Sequence, residues 1–196
     1  GRVMKHHIIV TGASKGIGLS ASRLLAKDDW GVIGVARGAP REFPGEFLEV
    51  DLSDDGATTR LAAALALRRD VVGIVNNVGL ASHERVGDVA YADFIRIMDF
   101  NLRPAMQLTQ ALLPAMKSAG FDRIVNVTSL VTRGLPFRTS YAAAKSALES
   151  FTRTLAIELA SSGVTANAVA PGPTRTELFA VNNPPGSEGE SRSLAA

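Results

Sequence analysis

Val10-Thr11-Gly12-Ala13-Ser14-Lys15-Gly16-Ile17-Gly18 is the stretch whose reading decides the fold. A short apolar run, residues 8–10, leads into a glycine-rich turn, and a helical run follows from 16 to about 27. Gly12, Gly16 and Gly18 give the spacing Gly-x-x-x-Gly-x-Gly. Residues without a Cβ let a backbone turn sharply and approach phosphates closely, and the helix start beyond them presents unpaired N–H groups. A strand, a glycine turn and a helix in this order form the site where open α/β sheets hold a dinucleotide pyrophosphate. Taken alone, the same residues also fit an ordinary strand–helix turn.

Outward from this turn the pattern repeats. Apolar runs at 32–36, 47–50, 71–75, 124–128 and 165–169 read as strands. The segments 57–67, 91–116 and 140–160 read as helices, with Pro104 marking a helix start or a kink. Ile17, Leu24 and Leu25 are the expected core contacts of the first helix, and Ser53 and Asp54 are good N-caps for the next. Alternation of this kind forces right-handed crossovers, giving a doubly wound α/β fold with a parallel sheet and helices on both faces. One domain is expected over residues 1–181. Residues 182–196 are polar and rich in Pro and Gly and read as a flexible or shortened tail. The chain stops at Ala196 with no later apolar strand, so the sheet is expected to lack its last strand. Gly1-Arg2-Val3 reads as an added remnant ahead of a natural Met4.

Composition narrows the function. The chain has 196 residues, 46% of them hydrophobic, enough to bury a sizeable core. A formal charge of +2 with scattered cations argues against nucleic acid and anionic membrane as partners. The absence of cysteine excludes disulfides, thiolate metal sites and a cysteine nucleophile. His6, His7 and His83 form no spaced ligand set, so no metal is expected. No apolar run approaches the ~20 residues of a membrane span, and a soluble cytoplasmic protein is expected.

The chemistry is carried by Tyr141-Ala142-Ala143-Ala144-Lys145, with Ser129 twelve residues upstream of the tyrosine. Tyr141 and Lys145 share one helix face, so the ammonium can act on the phenol. A tyrosine exchanges a proton with an alkoxide if its pKa comes down from ~10. A shift of ~2–3 units corresponds to ~3–4 kcal/mol at ~1.36 kcal/mol per unit. Ser129 suits hydrogen bonding to a substrate oxygen. It does not read as a nucleophile, because no histidine stands where it would activate it. Each residue alone also fits a bland role: core aromatic, surface lysine, turn serine.

Thr11 to Gly18, Asn76-Asn77-Val78-Gly79, Asn101, Ser129, Tyr141-x-x-x-Lys145 and Pro171-Gly172 together resemble the successive motifs of the short-chain dehydrogenase/reductase family, in its classical subgroup. The resemblance runs from about residue 5 to residue 179. It implies a Rossmann-type fold and a nicotinamide-dependent oxidoreductase acting on a small-molecule carbonyl or alcohol. It also implies that Ser129, Tyr141 and Lys145 are catalytic, with Asn101 supporting a water-mediated proton relay from Lys145. The cofactor residues it implies are Gly12, Ser14, Lys15, Gly16, Ile17 and Gly18 in the loop. Asp51 would meet the adenine amino group, with Leu52 alongside the ring. Asn77, Val78 and Gly79 would form the adenosine-side wall, where the family usually has Ala in place of Val78. Tyr141 and Lys145 would touch the cofactor too, and Pro171, Gly172, Thr174 and Thr176 would orient the nicotinamide.

The second strand ends in Val35-Ala36-Arg37-Gly38, with no carboxylate before Glu42 to bind a ribose 2′-hydroxyl. Arg37 and Lys15 suit a 2′-phosphate, so NADP(H) is expected, with NAD(H) open as a second choice. A non-catalytic nucleotide-binding or sensing protein on the same fold is the alternative. The first half is similar to bacterial 3-oxoacyl-carrier-protein reductases, a look shared by reductases of sugars, steroids and small alcohols. Substrate choice would rest on residues after Thr176 and on Val131, Arg133, Leu135, Phe137 and Arg138, the two arginines reading best as solvated loop residues. Helices around 101–116 and 140–160 carry more apolar residues than one sheet face needs. In the resembling family they join subunits, so a homodimer or homotetramer is expected.

Overall fold

The computed structural model describes residues 5–174, 185–188 and 191. Among the described residues, six strands and four α-helices follow one another: β1 His7–Thr11, α1 Gly16–Lys27, β2 Gly31–Ala36, β3 Glu46–Glu49, α2 Asp55–Ala66, β4 Val71–Asn76, α3 Tyr91–Ala119, β5 Arg123–Val127, α4 Thr139–Glu158 and β6 Thr165–Val169. The strands form one parallel sheet in the order β3-β2-β1-β4-β5-β6. The chain therefore winds one way from β1 to β3 and returns past β1 to continue the other way. The reversal lies between β1 and β4, the place where open α/β sheets bind ligands.

Successive side chains of the central strands enter different cores. Ile9, Ile33, Val35, Ile74 and Ile124 pack with Leu61 and Leu65 of α2, Leu108 and Leu112 of α3, and Leu155 of α4. Val10 and Val32, on the opposite face, pack with Leu25 and Ala26 of α1. This is the period-2 alternation of strands buried on both faces. The doubly wound reading holds.

Two details differ from expectation. Leu24 is 63% exposed, not a core contact. α1 turns Gly18 and Ser22 inward instead, and these small residues let the helix lie close to the sheet while Leu24 points away. Of the two readings of Pro104, a helix start or a kink, the first is excluded: it lies buried inside the 29-residue α3. Its missing N–H leaves the Phe100 carbonyl without its usual helical donor. Elsewhere local chemistry follows the sequence. Asp54 caps α2 through the Ala57 N–H at 2.7 Å, and Gly120 ends α3 at φ +74°. Most of residues 182–196 lies outside the described residues.

Candidate active site

At the reversal point a cleft of about 780 Å³ lies over the carboxyl ends of β1 and β4. Gly12, Ser14, Lys15, Gly16 and Ile17 line it on one side. Gly12 and Gly16 adopt φ of +63° and +55°, a left-handed region that side chains disfavour. Gly18 is buried beneath the loop, where a Cβ would collide with the Gly12 carbonyl and the Asn77 amide. The N-cap Lys15 makes no capping side-chain bond and α1 has no acid in its first turn, so the helix start is electropositive. A backbone cradle that admits only glycine, beside such a helix start, fits a dinucleotide pyrophosphate.

Thr11 locks this loop to β4. Its hydroxyl accepts from the backbone N–H of Asn77 at 2.9 Å and of Val78 at 3.0 Å. The Asn77 amide donates back to the carbonyls of Thr11 at 3.1 Å and Gly12 at 3.3 Å. Asn77, Val78 and Gly79 line the cleft, and Val78 also packs on the main core.

Arg37, Asp51 and Leu52 line the far end of the cleft. Arg37 is exposed and close enough to contribute to holding the Asp51 carboxyl below its ordinary value, although hydrogen bonds from Ser53 do most of that. One Asp51 oxygen closes a turn with the Ser53 N–H at 2.9 Å and hydroxyl at 2.7 Å. Leu52 is 3% exposed and belongs to the core as well as to the cleft wall. A carboxylate does reach the loop after β2 through space: Glu49 accepts from the Ala39 N–H at 3.3 Å. That side chain does not line the cleft.

The four residues read as catalytic converge at the same sheet edge. Ser129 lies two residues past β5, where its hydroxyl caps a short 3-10 turn (Leu130–Arg133) through the Val131 N–H at 3.2 Å and stands near enough to the Tyr141 phenol to draw its pKa down. Tyr141 and Lys145 are one turn apart on α4, with the Lys145 Nζ 5.8 Å from the phenol ring centre. That ammonium is buried and donates to the Val127 carbonyl at 2.9 Å. Asn101, 2% exposed on α3, donates to the carbonyls of Leu80 and Ile97 and accepts the Leu80 N–H. Gly79 makes room for both: a Cβ there would stand 3.0 Å from Asn101 Oδ1 and 3.2 Å from Lys145 Nζ.

Burial governs the electrostatics of this edge. It pushes the Lys145 ammonium down to about 8. Burial likewise raises the Tyr141 phenol above its ordinary value, while the Ser129 hydroxyl and the Arg138 charge pull the other way. Arg138 is thus not a solvated loop residue. It is half-buried and donates to the Ser82 carbonyl at 2.9 Å, whereas Arg133 is exposed.

Pro171 and Gly172 follow β6 and sit against the Ser129 turn, the Leu130 N–H donating to the Pro171 carbonyl at 3.1 Å. The Thr174 hydroxyl bonds to the Gly172 carbonyl at 3.1 Å, and Thr176 lies outside the described residues. Sequence reading missed Asp99 and Phe100, which line the cleft from the turn that carries Asn101, and Val50 and Ser53, which flank Asp51 and Leu52. Adjacency to residues already singled out is the signal that points to them. Among the described residues no cluster of His, Cys, Asp or Glu suits a metal, and no helix is long and apolar enough to cross a membrane.

Comparison with known proteins agrees with this geometry. The family model described as short chain dehydrogenase matches residues 6–185. D-beta-hydroxybutyrate dehydrogenase of Rhizobium meliloti is 33% identical over 187 residues, covering 87% of this chain and 72% of that protein. The 3-oxoacyl-acyl-carrier-protein reductase of Vibrio harveyi is 35% identical, covering 87% and 74%. Among solved structures, a variant of actinorhodin polyketide ketoreductase with NADPH superposes with a TM-score of 0.84 at 28% identity, covering 96% of this chain and 80% of that one. A glycine cradle at the switch point, the four residues at its edge and a match over nearly the whole length place this chain in the short-chain dehydrogenase/reductase family of oxidoreductases.

Proposed function

We propose that the chain is an NADP(H)-linked carbonyl reductase or alcohol dehydrogenase working on a small-molecule substrate. The observation that carries this reading is the meeting of Ser129, Tyr141, Lys145 and Asn101 at the sheet edge that bears the glycine cradle. The glycine cradle would hold a reduced nicotinamide cofactor, which when bound would supply a hydride to a carbonyl carbon. The Ser129 hydroxyl donates to the carbonyl oxygen and holds it beside the phenol. Tyr141 then gives its proton to that oxygen, or takes one in the reverse direction. Lys145 and Asn101 stand in sequence behind the phenol, suited to passing a replacement proton inward from solvent.

The cofactor preference rests on Arg37 at the end of β2 and Lys15 in the cradle, both lining the cleft, with no carboxylate lining it beside Arg37 before Asp51. A fork-shaped guanidinium pairs well with a 2′-phosphate. Expected members of the substrate class are ketones and secondary alcohols. A homodimer or homotetramer joined through α3 and α4 is part of the same proposal.

The deciding experiment screens a panel of carbonyls and alcohols with both cofactors, then compares Tyr141→Phe on the best substrate. Turnover should fall by roughly 10²–10⁴-fold, the contribution of a positioned proton donor, while NADPH binding by calorimetry is retained. Near-normal turnover in Tyr141→Phe would place the acid/base elsewhere.

A further inference from the structure

The helix that presents Tyr141 begins without help from its own sequence. Its N-cap residue Arg138 makes no capping side-chain bond, and its first turn has no acidic residue. The open N–H groups are satisfied from far away in the chain. Glu84 Oε1 accepts the Ser140 N–H at 2.6 Å, and the Ser82 hydroxyl accepts the Tyr141 N–H at 3.2 Å while donating to the same Glu84 oxygen at 3.1 Å.

The backbone joins in. The Glu84 N–H donates to the Phe137 carbonyl at 3.1 Å, and Arg138 reaches the Ser82 carbonyl. Residues 79–84 therefore form a strap. At one end Asn101 holds Leu80 through both its N–H and its carbonyl, and Gly79 lies against Lys145. At the other end Ser82 and Glu84 hold the first turn of α4. Tyr141 and Lys145 lie between the two fastenings.

We propose that Glu84, with Ser82, is a positioning residue for Tyr141: its carboxylate caps α4 across 56 residues of sequence and fixes where the phenol stands in the cleft. This rests on the reading of Tyr141 as the acid/base. The cap suits an anion, because a helix start attracts negative charge. Burial alone would raise the Glu84 carboxyl, but hydrogen bonds from Ser140 and Ser82 and the Arg138 charge hold it below its ordinary value. It is therefore ionised at neutral pH. A glutamine at this position keeps an acceptor oxygen and loses the charge; an alanine loses both.

The test reads the site without turnover. The chain has two tyrosines, and Tyr91 is 76% exposed on the surface, so a Tyr91→Phe background leaves Tyr141 as the lone phenol. In that background Glu84→Ala, Glu84→Gln and Ser82→Ala are compared by residue-resolved amide exchange and by ultraviolet titration of the phenol. Glu84→Ala should quicken exchange at Ser140 and Tyr141 by about tenfold, the size of a lost helix cap, and move the phenol titration towards that of free tyrosine. Glu84→Gln should restore most of both. Ser82→Ala should quicken Tyr141 alone, and it decides the matter if Glu84→Ala does not fold. Unchanged exchange and an unchanged phenol in Glu84→Ala would overturn the proposal, as would Ser82→Ala leaving the Tyr141 amide untouched. A lowered melting point with an unmoved phenol would also overturn it, leaving Glu84 a purely structural cap. Neither readout needs a substrate, so a chain that reduces no carbonyl would refute the enzymatic reading and leave this result standing.

Discussion

Lys145 carries its charge where a charge is costly. Folded, its ammonium titrates near 8; unfolded, it returns to about 10.5. Between those values the unfolded chain binds more protons, so stability rises with pH through that window and is lowest below it. The gap corresponds to about 3 kcal/mol at ~1.36 kcal/mol per unit. Lys145→Met removes that term together with the bond to the Val127 carbonyl. Its urea midpoint should match or exceed that of the parent near neutral pH and fall behind as pH passes from about 8 to about 10. A constant difference across that range would show that Lys145 titrates normally. At the cofactor end, Arg37→Asp should weaken NADPH binding far more than NADH binding, by about tenfold or more for a lost charge-assisted pair. Equal losses for the two cofactors in calorimetric titration would refute the 2′-phosphate role. The residues proposed to do chemistry were readable because that chemistry would restrict their type and spacing: few side chains besides a tyrosine and a lysine one helical turn apart can trade a proton with an alkoxide. Leu24 and Arg138 were not readable, because their exposure depends on which neighbours the fold brings in. Glu84 was hidden for the same reason, its partner Ser140 lying 56 residues away.

At the level of elements, the amino ends of the strands are tied by charge. Asp70, just before β4, accepts two bonds from Arg68 at 2.8 and 2.7 Å and lies 2.8 Å from His7 Nδ1 on β1. Arg68 also reaches Glu46 on β3 at 3.0 Å. The Arg68 hydrogen bonds chiefly hold the Asp70 carboxyl down to about 2. A carboxylate depressed in the folded state stabilises above its unfolded value near 3.8, and that contribution is lost as pH falls through about 2. Asp70→Asn should therefore cost about 2 kcal/mol near neutral pH, at ~1.36 kcal/mol per unit, and almost nothing near pH 2. Urea titrations at the two pH values check this, and an equal cost at both would refute it. The elements themselves were legible from strand and helix periodicity, and their order sufficed to predict the parallel sheet. Of the two readings offered for Pro104, helix start or kink, the start is excluded; local propensity sees only the missing N–H. Burial of the surrounding turns in the core carries α3 through it.

For the whole molecule, the open question is what α3 and α4 face. Both pack inward through Leu108, Leu112 and Leu155, yet Ile157 is 78% and Met106 37% exposed. Sedimentation at micromolar concentration should give a dimer or tetramer, and Ile157→Lys should shift that mass downward if α4 is in the contact. A monomer in the parent would refute the assembly proposal. The position of β1 in the sheet has a consequence of another kind. Its two partners come at very different times during synthesis: β2 follows within about one helix, whereas β4 begins only at Val71. At roughly 5–20 residues per second, one edge of the apolar run Ile8–Val10 waits several seconds on the ribosome without its neighbour. An unpaired edge of that kind invites association with other chains. The Thr11–Asn77 bonds that complete the glycine cradle cannot form until the wait is over, so the newborn chain completes the cradle only after that edge of β1 has been covered.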